Sequence, residues 1–438
     1  MTSRPVLIIF VLFCVLLKTP ANAEGTSMTL EDAWDIAAKN SPAAAGAEAS
    51  YMEGRASWLE GWGGLIPTLS TTAGYSHFLD QDTYRIGGYE IPGYTPPEEY
   101  YQLDVTVTEP IFTGGLVFNR WRSGRAAVRA GEADRADKLG DLKVSVAETF
   151  FGALKAEKLL EVTEKSLEAS ENNVRIAEVN FETGAISRGE YLKAVVQAGT
   201  DRVALIAAEA AAKNARLAFF STLGVKPDDA TALDDELPMP EPTLPPLDDI
   251  LARAGENRPD IIANEYYTKA TEYAVGMAKA GRWPGIYASA SYDWSDYEAP
   301  WDSSEDWDAN DSWTLGVTIQ YELLDGFATR SAVRRAEAAA KVARANLDVL
   351  EETVEMDVTA AYYEYEKQAE TVVVARETAE AADEEFEIVN RLYELDGASA
   401  LELTDAQALY VQAQNAYIEA LYDFYLADIK LKKATGDL

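Results

Sequence analysis

Two halves of this chain repeat each other, and each half sets one pair of alternating strands between very long helical tracts. Leu30 to Pro42 (LEDAWDIAAKNSP) aligns with Leu247 to Pro259 (LDDILARAGENRP), and Pro67 with Pro284, at a spacing of 217. Further on the spacing is 212, pairing Phe112 with Leu324, Phe150-Phe151 with Tyr362-Tyr363, Phe181 with Tyr393, Ser187 with Ser399, Glu190 with Glu402 and Gly224 with Gly436. The five-residue change falls between the two strands. Loops tolerate changes of length where packed helices do not, so a duplication with this drift keeps its helices in register.

The repeats set the expected organisation. Residues 1–23 read as a secretory signal, 24–224 as the first repeat, 225–246 as a connector and 247–438 as the second repeat. The signal has its three parts in Arg4, the apolar run Val6 to Leu17 and Ala21-Asn22-Ala23. That run is shorter than the roughly 20 residues a spanning helix needs, and no later segment approaches that length. Cys14 is the single cysteine, so a chain starting at Glu24 has neither disulfides nor thiolate chemistry and depends on packing and assembly.

Each repeat is predicted to open with one helix, from Glu31 to about Leu65 and from Asp248 to Arg282, stopping before Pro67 and Pro284. Strand pairs follow at about 68–78 with 100–109, and at about 286–296 with 312–322. In the second strand of each pair, Tyr101, Leu103, Val105 and Val107 alternate with Gln102, Asp104, Thr106 and Thr108. Trp313, Leu315, Val317, Ile319 and Tyr321 likewise alternate with small or polar residues. Ile286 to Trp294 alternates as well, whereas Thr68 to Phe78 does so weakly and is read as a strand from the repeat. Aromatic residues at the strand ends (Tyr100, Tyr101, Tyr287, Trp294, Trp313, Tyr321) match the girdles of an outer-membrane barrel, and strands of about ten residues fit a tilted crossing. Four strands cannot close a barrel, because small membrane barrels start at about eight strands and an open edge in lipid strands its backbone groups. The chain is therefore expected to oligomerise, and three subunits supply twelve strands. The loops Asp80 to Glu99 and Glu298 to Asp311 read as exposed.

Long helices at about 115–182 and 327–395, with apolar residues at three-and-four spacing, are followed by Ala-rich return helices at about 188–223 and 400–435. A helix from Gly115 to Glu182 rises about 100 Å at ~1.5 Å per residue, so it needs neighbours along its length. The connector carries six prolines and reads as an extended segment, either a belt around the helices or a disordered link.

Once Arg4 and Lys18 are set aside, 36 basic residues face 74 acidic ones, which disfavours nucleic acid as a partner. This acidity reads either as a solvated helix surface or as a lumen that favours cations. His77 is the only histidine, no phosphate-loop lysine accompanies Gly87-Gly88 or Gly114-Gly115, and no enzyme, metal site or cofactor is expected.

The chain resembles the TolC family of outer-membrane efflux proteins over nearly all of its mature length. Pro110-Ile111-Phe112-Thr113-Gly114-Gly115 is similar to the family's strand-to-helix junction, as is Leu323-Leu324-Asp325-Gly326 in the second copy. Phe181-Glu182-Thr183-Gly184-Ala185 and Tyr393-Glu394-Leu395-Asp396-Gly397 resemble the helix turns at the periplasmic tip. The resemblance implies a mixed α and β membrane protein. It implies a homotrimer with a 12-stranded barrel in the outer-membrane lipid of a Gram-negative bacterium, continued by a 12-helix tunnel through the periplasm. It further implies a passive exit duct for a tripartite efflux pump or type I secretion system, with a periplasmic adaptor and an inner-membrane pump as partners. Matching the second tip places Glu402 and Asp405 at the acidic gate, with Glu190 as the counterpart in the first copy; the alternative for these residues is a helix-starting role. Thr183, Gly184, Ala185, Leu395, Asp396 and Gly397 become adaptor-docking tips. Pro110, Gly114, Gly115, Asp325 and Gly326 become the junction. Gly397 stands one place later than the family's tip glycine, with Asp396 in its stead. A soluble periplasmic coiled-coil scaffold or adaptor is the competing reading; it explains the helices but leaves the apolar strand faces uncovered.

Overall fold

A computed structural model of the chain describes residues 27–79, 85–86, 89–90, 98–228, 230–235, 239, 244–298, 311–395 and 397–438. The predicted signal and most of both strand-connecting loops lie outside the described residues. The first repeat runs α1 (Leu30–Asn40), α2 (Pro42–Gly63), β1 (Thr68–His77), two short strands β2 (Arg85–Ile86) and β3 (Tyr89–Glu90), β4 (Glu99–Phe112), α3 (Leu116–Glu182) and α4 (Arg188–Leu223). The second runs α5 (Leu247–Asn257), α6 (Pro259–Ala280), β5 (Gly285–Asp296), β6 (Asp311–Gln320), α7 (Ala328–Glu394) and α8 (Ala400–Thr435). Corresponding helices have equal lengths of 11, 22, 67 and 36 residues and begin at spacings of 217 for the first two pairs and 212 for the last two. No helix among the described residues is long and apolar enough to cross a membrane.

The opening helix of each repeat is broken in two, which corrects the single helices expected from Glu31 to Leu65 and from Asp248 to Arg282. Ser41 and Arg258 adopt extended backbone because each precedes a proline, and that proline then starts the next helix. Ser41 Oγ accepts from Ala43 N at 3.2 Å, and the Arg258 guanidinium grips the Asp260 carboxylate at 3.0 and 2.6 Å. Burial opposes the charge on Asp260, but this arginine holds its carboxyl below the usual range. Each break receives the end of a return helix. Gly224 after α4 and Gly436 after α8 have φ of 73° and 78°, and a Cβ there would lie 2.5 Å from Asn40 O and 2.8 Å from Asn257 O respectively. Only glycine serves both the left-handed turn and this approach. Two shorter helices thus meet end to end along each long one.

The strands form one antiparallel sheet in the order β1-β4-β5-β6. Directly opposed residues share a face, so the registers Leu69↔Val107, Val107↔Ala290 and Ala290↔Leu315 carry one apolar face across all four strands. Trp313, Leu315, Val317 and Ile319 on that face are exposed. The other face carries Ser70, Thr72, Gln102, Thr106, Ser289, Ser291, Thr314 and Thr318. The sheet is greasy on one side and wet on the other, and among the described residues no helical layer packs over it.

The main core lies well away from the sheet, where α1, α3, α4 and α8 meet around Val146, Phe150, Leu154, Phe219 and Leu223. Phe150 and Phe219 contact edge to face at 5.6 Å. The described part of the connector is bound rather than loose. Met28 bridges Leu233, Arg216 donates to Thr231 O at 2.7 Å, and Lys158 pairs with Asp235 at 2.7 Å. Leu233 enters the main core.

Candidate periplasmic gate and docking tips

The strand-to-helix junction is built alike in both copies. Thr113 Oγ1 accepts from Val117 N at 3.3 Å, and its counterpart Asp325 accepts from Thr329 N at 2.8 Å, so each caps the first turn of a long helix. Pro110, which has no N–H to give, stands beside a bulge where the β4·β5 register shifts between Pro110 and Phe112. Gly114 and Gly115 have φ of 63° and 89°; Gly326 and Phe327 repeat this at 57° and 67°. A Cβ on Gly114 would lie 2.7 Å from Ala280 O, so the turn is locked against the end of α6.

At the far end the two tips share one closing bond. Ala185 N donates to Asn180 O at 2.7 Å, and Gly397 N donates to Leu392 O at 2.7 Å. This is the six-residue closure of a left-handed helix end, and Gly184 supplies its φ of 76°. Asp396 lies outside the described residues. Thr183 folds back to Val179 O and Asn180 O at 3.0 and 3.1 Å, Phe181 stacks on Tyr191 at 5.7 Å, and Leu395 is exposed. Thr183, Gly184 and Ala185 thus form one turn at the end of α3.

Two of the three gate candidates, Glu190 and Glu402, make the bonds that start a helix. Ser187 N donates to Glu190 Oε2 at 2.8 Å, and Glu190 N donates to Ser187 Oγ at 3.3 Å. In the second copy Ser399 N donates to Glu402 Oε2 at 2.7 Å, and Glu402 N donates to Ser399 Oγ at 3.2 Å. Both are capping boxes. In each, the backbone N–H of the serine, aided by its hydroxyl, holds the glutamate carboxyl below the usual range. Asp405 is exposed one turn further on and makes no hydrogen bond or ion pair among the described residues. Glu190 and Ser399 line one cavity of about 660 Å³ together with Ser170, Asn173, Gln197 and Gln407. The structure therefore brings the starts of α4 and α8 to a shared space, while Glu402 and Asp405 both lie outside its lining.

Sequence reasoning missed a polar cluster at the inner wall of that cavity. Gln407 Nε2 on α8 reaches Ser166 Oγ at 2.8 Å and Ser170 Oγ at 2.8 Å on α3, and Asp201 Oδ2 at 3.0 Å on α4. Asp201 also accepts from Gln197 Nε2 at 3.0 Å and from the Ser170 hydroxyl. Ser166, Ser170, Asp201 and Gln407 are all buried, so these bonds replace lost water and tie three helices together. The signal was present in the repeat: the counterparts are Thr378, Ala382, Ala413 and Val195, so three polar side chains stand where the other copy is apolar. No group of metal-ligating side chains occurs among the described residues.

Comparison with known proteins extends this picture. The sequence model of the family described as outer membrane efflux protein matches residues 34–225 and 250–437, one stretch in each repeat. The outer membrane efflux protein BepC of Brucella suis is 25% identical over 355 residues, covering 80% of this chain and 76% of that protein. The cobalt-zinc-cadmium resistance protein CzcC of Cupriavidus metallidurans is 23% identical over 331 residues, 75% of each. Among solved structures, the CmeC outer membrane channel of Campylobacter jejuni superposes with a TM-score of 0.78 at 16% identity, covering 93% of this chain and 85% of that one.

Proposed function

The chain belongs to the outer membrane efflux protein family, and on that premise we propose that three copies assemble into one channel-tunnel that serves as the passive exit duct of a tripartite efflux pump. The observation that carries the trimer is the open sheet. Its apolar face suits lipid and its polar face suits a water-filled lumen, but β1 and β6 each keep an edge unpaired among the described residues. Such edges cannot rest in hydrocarbon, and a barrel of twelve strands removes them. The long helices continue the barrel by about 100 Å at ~1.5 Å per residue, a length suited to a periplasmic tunnel. A soluble scaffold does not account for the apolar face and is set aside with the family assignment.

The tips carry the partner side of this reading. Thr183-Gly184-Ala185 and the Leu395–Gly397 turn are the surfaces offered to a periplasmic adaptor, which couples the duct to an inner-membrane pump. Glu402 and Asp405, repeated three times around a narrowing lumen, form the acidic gate, with Glu190 beside them. The capping bonds of Glu402 fix where its carboxylate sits, and Asp405 supplies an unpaired charge. Rings of carboxylates in a narrow pore favour cations.

Electron microscopy and mass measurement of the detergent-purified protein test the assembly. The expected particle is a hollow threefold cylinder well over about 100 Å long, with a detergent belt at one end. A monomeric rod without a lumen would overturn the reading.

A further inference from the structure

The first turns of the long helices, just below the sheet, reverse the charge pattern of the chain. Over the whole sequence 38 basic residues face 74 acidic ones. Residues 116–131 of α3 nevertheless hold four arginines and no acid, and residues 328–346 of α7 hold five basic residues and one acid, Glu337, which pairs with Lys279 at 3.6 Å. Beyond them the sign returns, with Asp348, Glu351, Glu352 and Glu355 on α7. Helix electrostatics does not account for this placement, because the amino-terminal end of a helix is the positive end of its dipole and disfavours cations. Ion pairing does not account for it either. Arg122, Arg125, Arg330 and Arg334 are all exposed, and none forms an ion pair among the described residues.

These arginines share one side of the helical layer. On α3, Gly124 meets α2 at Ser57 and Ser123 Oγ donates to Ala270 O of α6 at 3.4 Å, so both flanks are occupied. Phe118, Arg122, Arg125 and Arg129 follow one another at spacings of four, three and four on a third face. Seven-residue steps from Arg122 lead down this face to Lys143, whose carbonyl accepts from Trp34 Nε1 of α1 at 3.0 Å. The same steps from Arg330 on α7 lead to Val358, which shares a buried cluster with Ile250 of α5. The arginine stripes therefore continue into the faces that α1 and α5 cover. In a ring of helices that is the outer side, since a lumen holding both short helices would be plugged.

Apolar residues border the arginines toward the sheet. Phe118 is exposed and stacks on Trp121 at 5.9 Å, and the Arg122 guanidinium lies 4.3 Å from the centre of the Phe118 ring. In the second copy Leu323, Leu324 and Phe327 are exposed just ahead of Arg330. Aromatic and aliphatic groups followed by guanidinium groups match the order met on leaving hydrocarbon for headgroups.

We propose that Arg122, Arg125, Arg330 and Arg334 form an outer belt that binds the phosphodiester headgroups of anionic phospholipid in the periplasmic leaflet. This rests on the membrane channel proposed above and names the partner of one level of its surface. Measured from the start of each long helix, the four arginines lie about 3 to 14 Å down at ~1.5 Å per residue. The headgroup layer on each side of the hydrocarbon is about 5–8 Å thick, within reach of side chains that extend toward it. A planar guanidinium presents two parallel N–H groups to two phosphate oxygens, and its stem lies along the apolar rim. Lys341 and Arg344, further down, add to the attraction within a Debye length of about 10 Å at 0.1 M salt. The acids below them are repelled by the same phosphates, so the change of sign fixes how deep the channel sits.

Native mass spectrometry of the detergent-purified protein, titrated with phosphatidylglycerol or with phosphatidylcholine of the same acyl chains, tests the belt. The trimer is expected to retain phosphatidylglycerol in preference. Arg122→Gln, Arg125→Gln, Arg330→Gln and Arg334→Gln together should abolish that preference, with phosphatidylglycerol weakened about fivefold for each arginine a lipid contacts. Removing as many charges near the tips, by Arg175→Gln, Arg188→Gln, Arg202→Gln and Arg391→Gln, should leave the preference unchanged. Lysine at the four belt positions should keep most of it, because the charge remains. Equal retention of the two lipids by the native trimer overturns the belt while leaving the channel in place, as does a belt variant that matches the native protein. Equal loss in the tip variant, or loss in the lysine variant as complete as in the glutamine one, overturns it too. A particle that is monomeric by mass and retains neither lipid removes the channel reading itself.

Discussion

Alanine at Gly54 is expected to destabilise the protein, although alanine is the better helix former. Gly54 and Gly61 on α2 meet the backbone of α3 at Ala127 and Arg120, Gly124 and Gly131 on α3 meet that of α2 at Ser57 and Ser50, and each is spaced seven residues from its fellow. A Cβ at Gly54 would lie 2.6 Å from Ala127 O, and one at Gly124 would lie 2.6 Å from Ser57 O and 2.7 Å from Trp58 Cα. The obstructing atoms are backbone, so the two helices must separate rather than turn a side chain aside. Overpacking costs about 1–3 kcal/mol, and a rigid backbone obstacle belongs in the upper part of that range. Replacing glycine in a helix recovers about 1 kcal/mol, which leaves a net loss of about 1–2 kcal/mol for Gly54→Ala or Gly124→Ala. Gly46 on the same helix is the control, because nothing lies within 4 Å of its added Cβ and its counterpart Ala263 is already alanine. Gly46→Ala should gain up to about 1 kcal/mol. Thermal melting of the detergent-solubilised protein by circular dichroism, at one scan rate, compares the signs directly. Gly54→Ala and Gly124→Ala together should lose less than the sum, since one separation of the helices relieves both clashes. A Gly54→Ala midpoint that moves in the same direction as that of Gly46→Ala would refute the close-packing argument.

The gate is separable from the cap because glutamine also completes a capping box. Glu402→Gln and Asp405→Asn should each lower cation selectivity in planar bilayers with the trimer intact, and unchanged selectivity in both rejects the gate. The caps have a defined acid limit: Glu190 and Glu402 have depressed carboxyl pKa values, so their stabilisation is present above the unfolded value and disappears as pH falls through the depressed one. Amide protection of the first turns of α4 and α8 should persist at about pH 5 and fade below about pH 4, and loss already near neutrality would contradict the box. In the buried cluster, Gln407→Leu removes the donor shared by Ser166, Ser170 and Asp201 and should cost about 1–3 kcal/mol in chemical denaturation. Replacing the cluster with its second-copy residues, Ser170→Ala, Asp201→Ala and Gln407→Val together, should recover part of that loss, and a further loss would show that the bonds do more than satisfy one another.

The repeat made most of the fold legible. Alternation along Tyr101 to Thr108 and Trp313 to Tyr321 marks β4 and β6, and three-and-four spacing marks α3 and α7, because a face set against its own surroundings leaves its period in the sequence. β1 was legible only through its counterpart, since Thr68, Ser70, Thr71 and Thr72 give nearly the same polarity on both faces. The breaks at Ser41-Pro42 and Arg258-Pro259 were written in the chain as well. Apolar spacing runs on through both breaks, but the steric demand of proline on its predecessor overrides it. The caps were visible as Ser187-x-x-Glu190 and Ser399-x-x-Glu402, which is the same signal that the family resemblance assigned to a gate. The Gly54, Gly61, Gly124 and Gly131 contacts were not legible, because spacing along one helix does not reveal which helix approaches it.

Departures from the repeat carry information that the repeat cannot. In the second copy the four close-packing glycines become Thr271, Ala278, Ala336 and Ala343, so α6 and α7 cannot approach as α2 and α3 do. The buried cluster at the contact between copies also has no equivalent between chains of the proposed ring, where the repeat spacing sets Thr378 and Ala382 of one chain against Val195 of the next. Polar bonds fix the relative position of two helices more narrowly than apolar contacts do, because a displaced donor is left unsatisfied in a dry interior whereas a displaced methyl group finds another neighbour. Two kinds of contact therefore alternate around the proposed ring, one locked by Gln407 within each chain and one sliding on small and aliphatic side chains between chains. A backbone of near sixfold symmetry becomes threefold in its chemistry, and any opening of the periplasmic end is expected to begin at the apolar seams and leave the Gln407 contacts closed. Cross-linking Thr378 to the neighbour's Val195 through paired cysteines should then hold the tunnel shut in conductance measurements, whereas Gln407→Leu should leave the closed state in place.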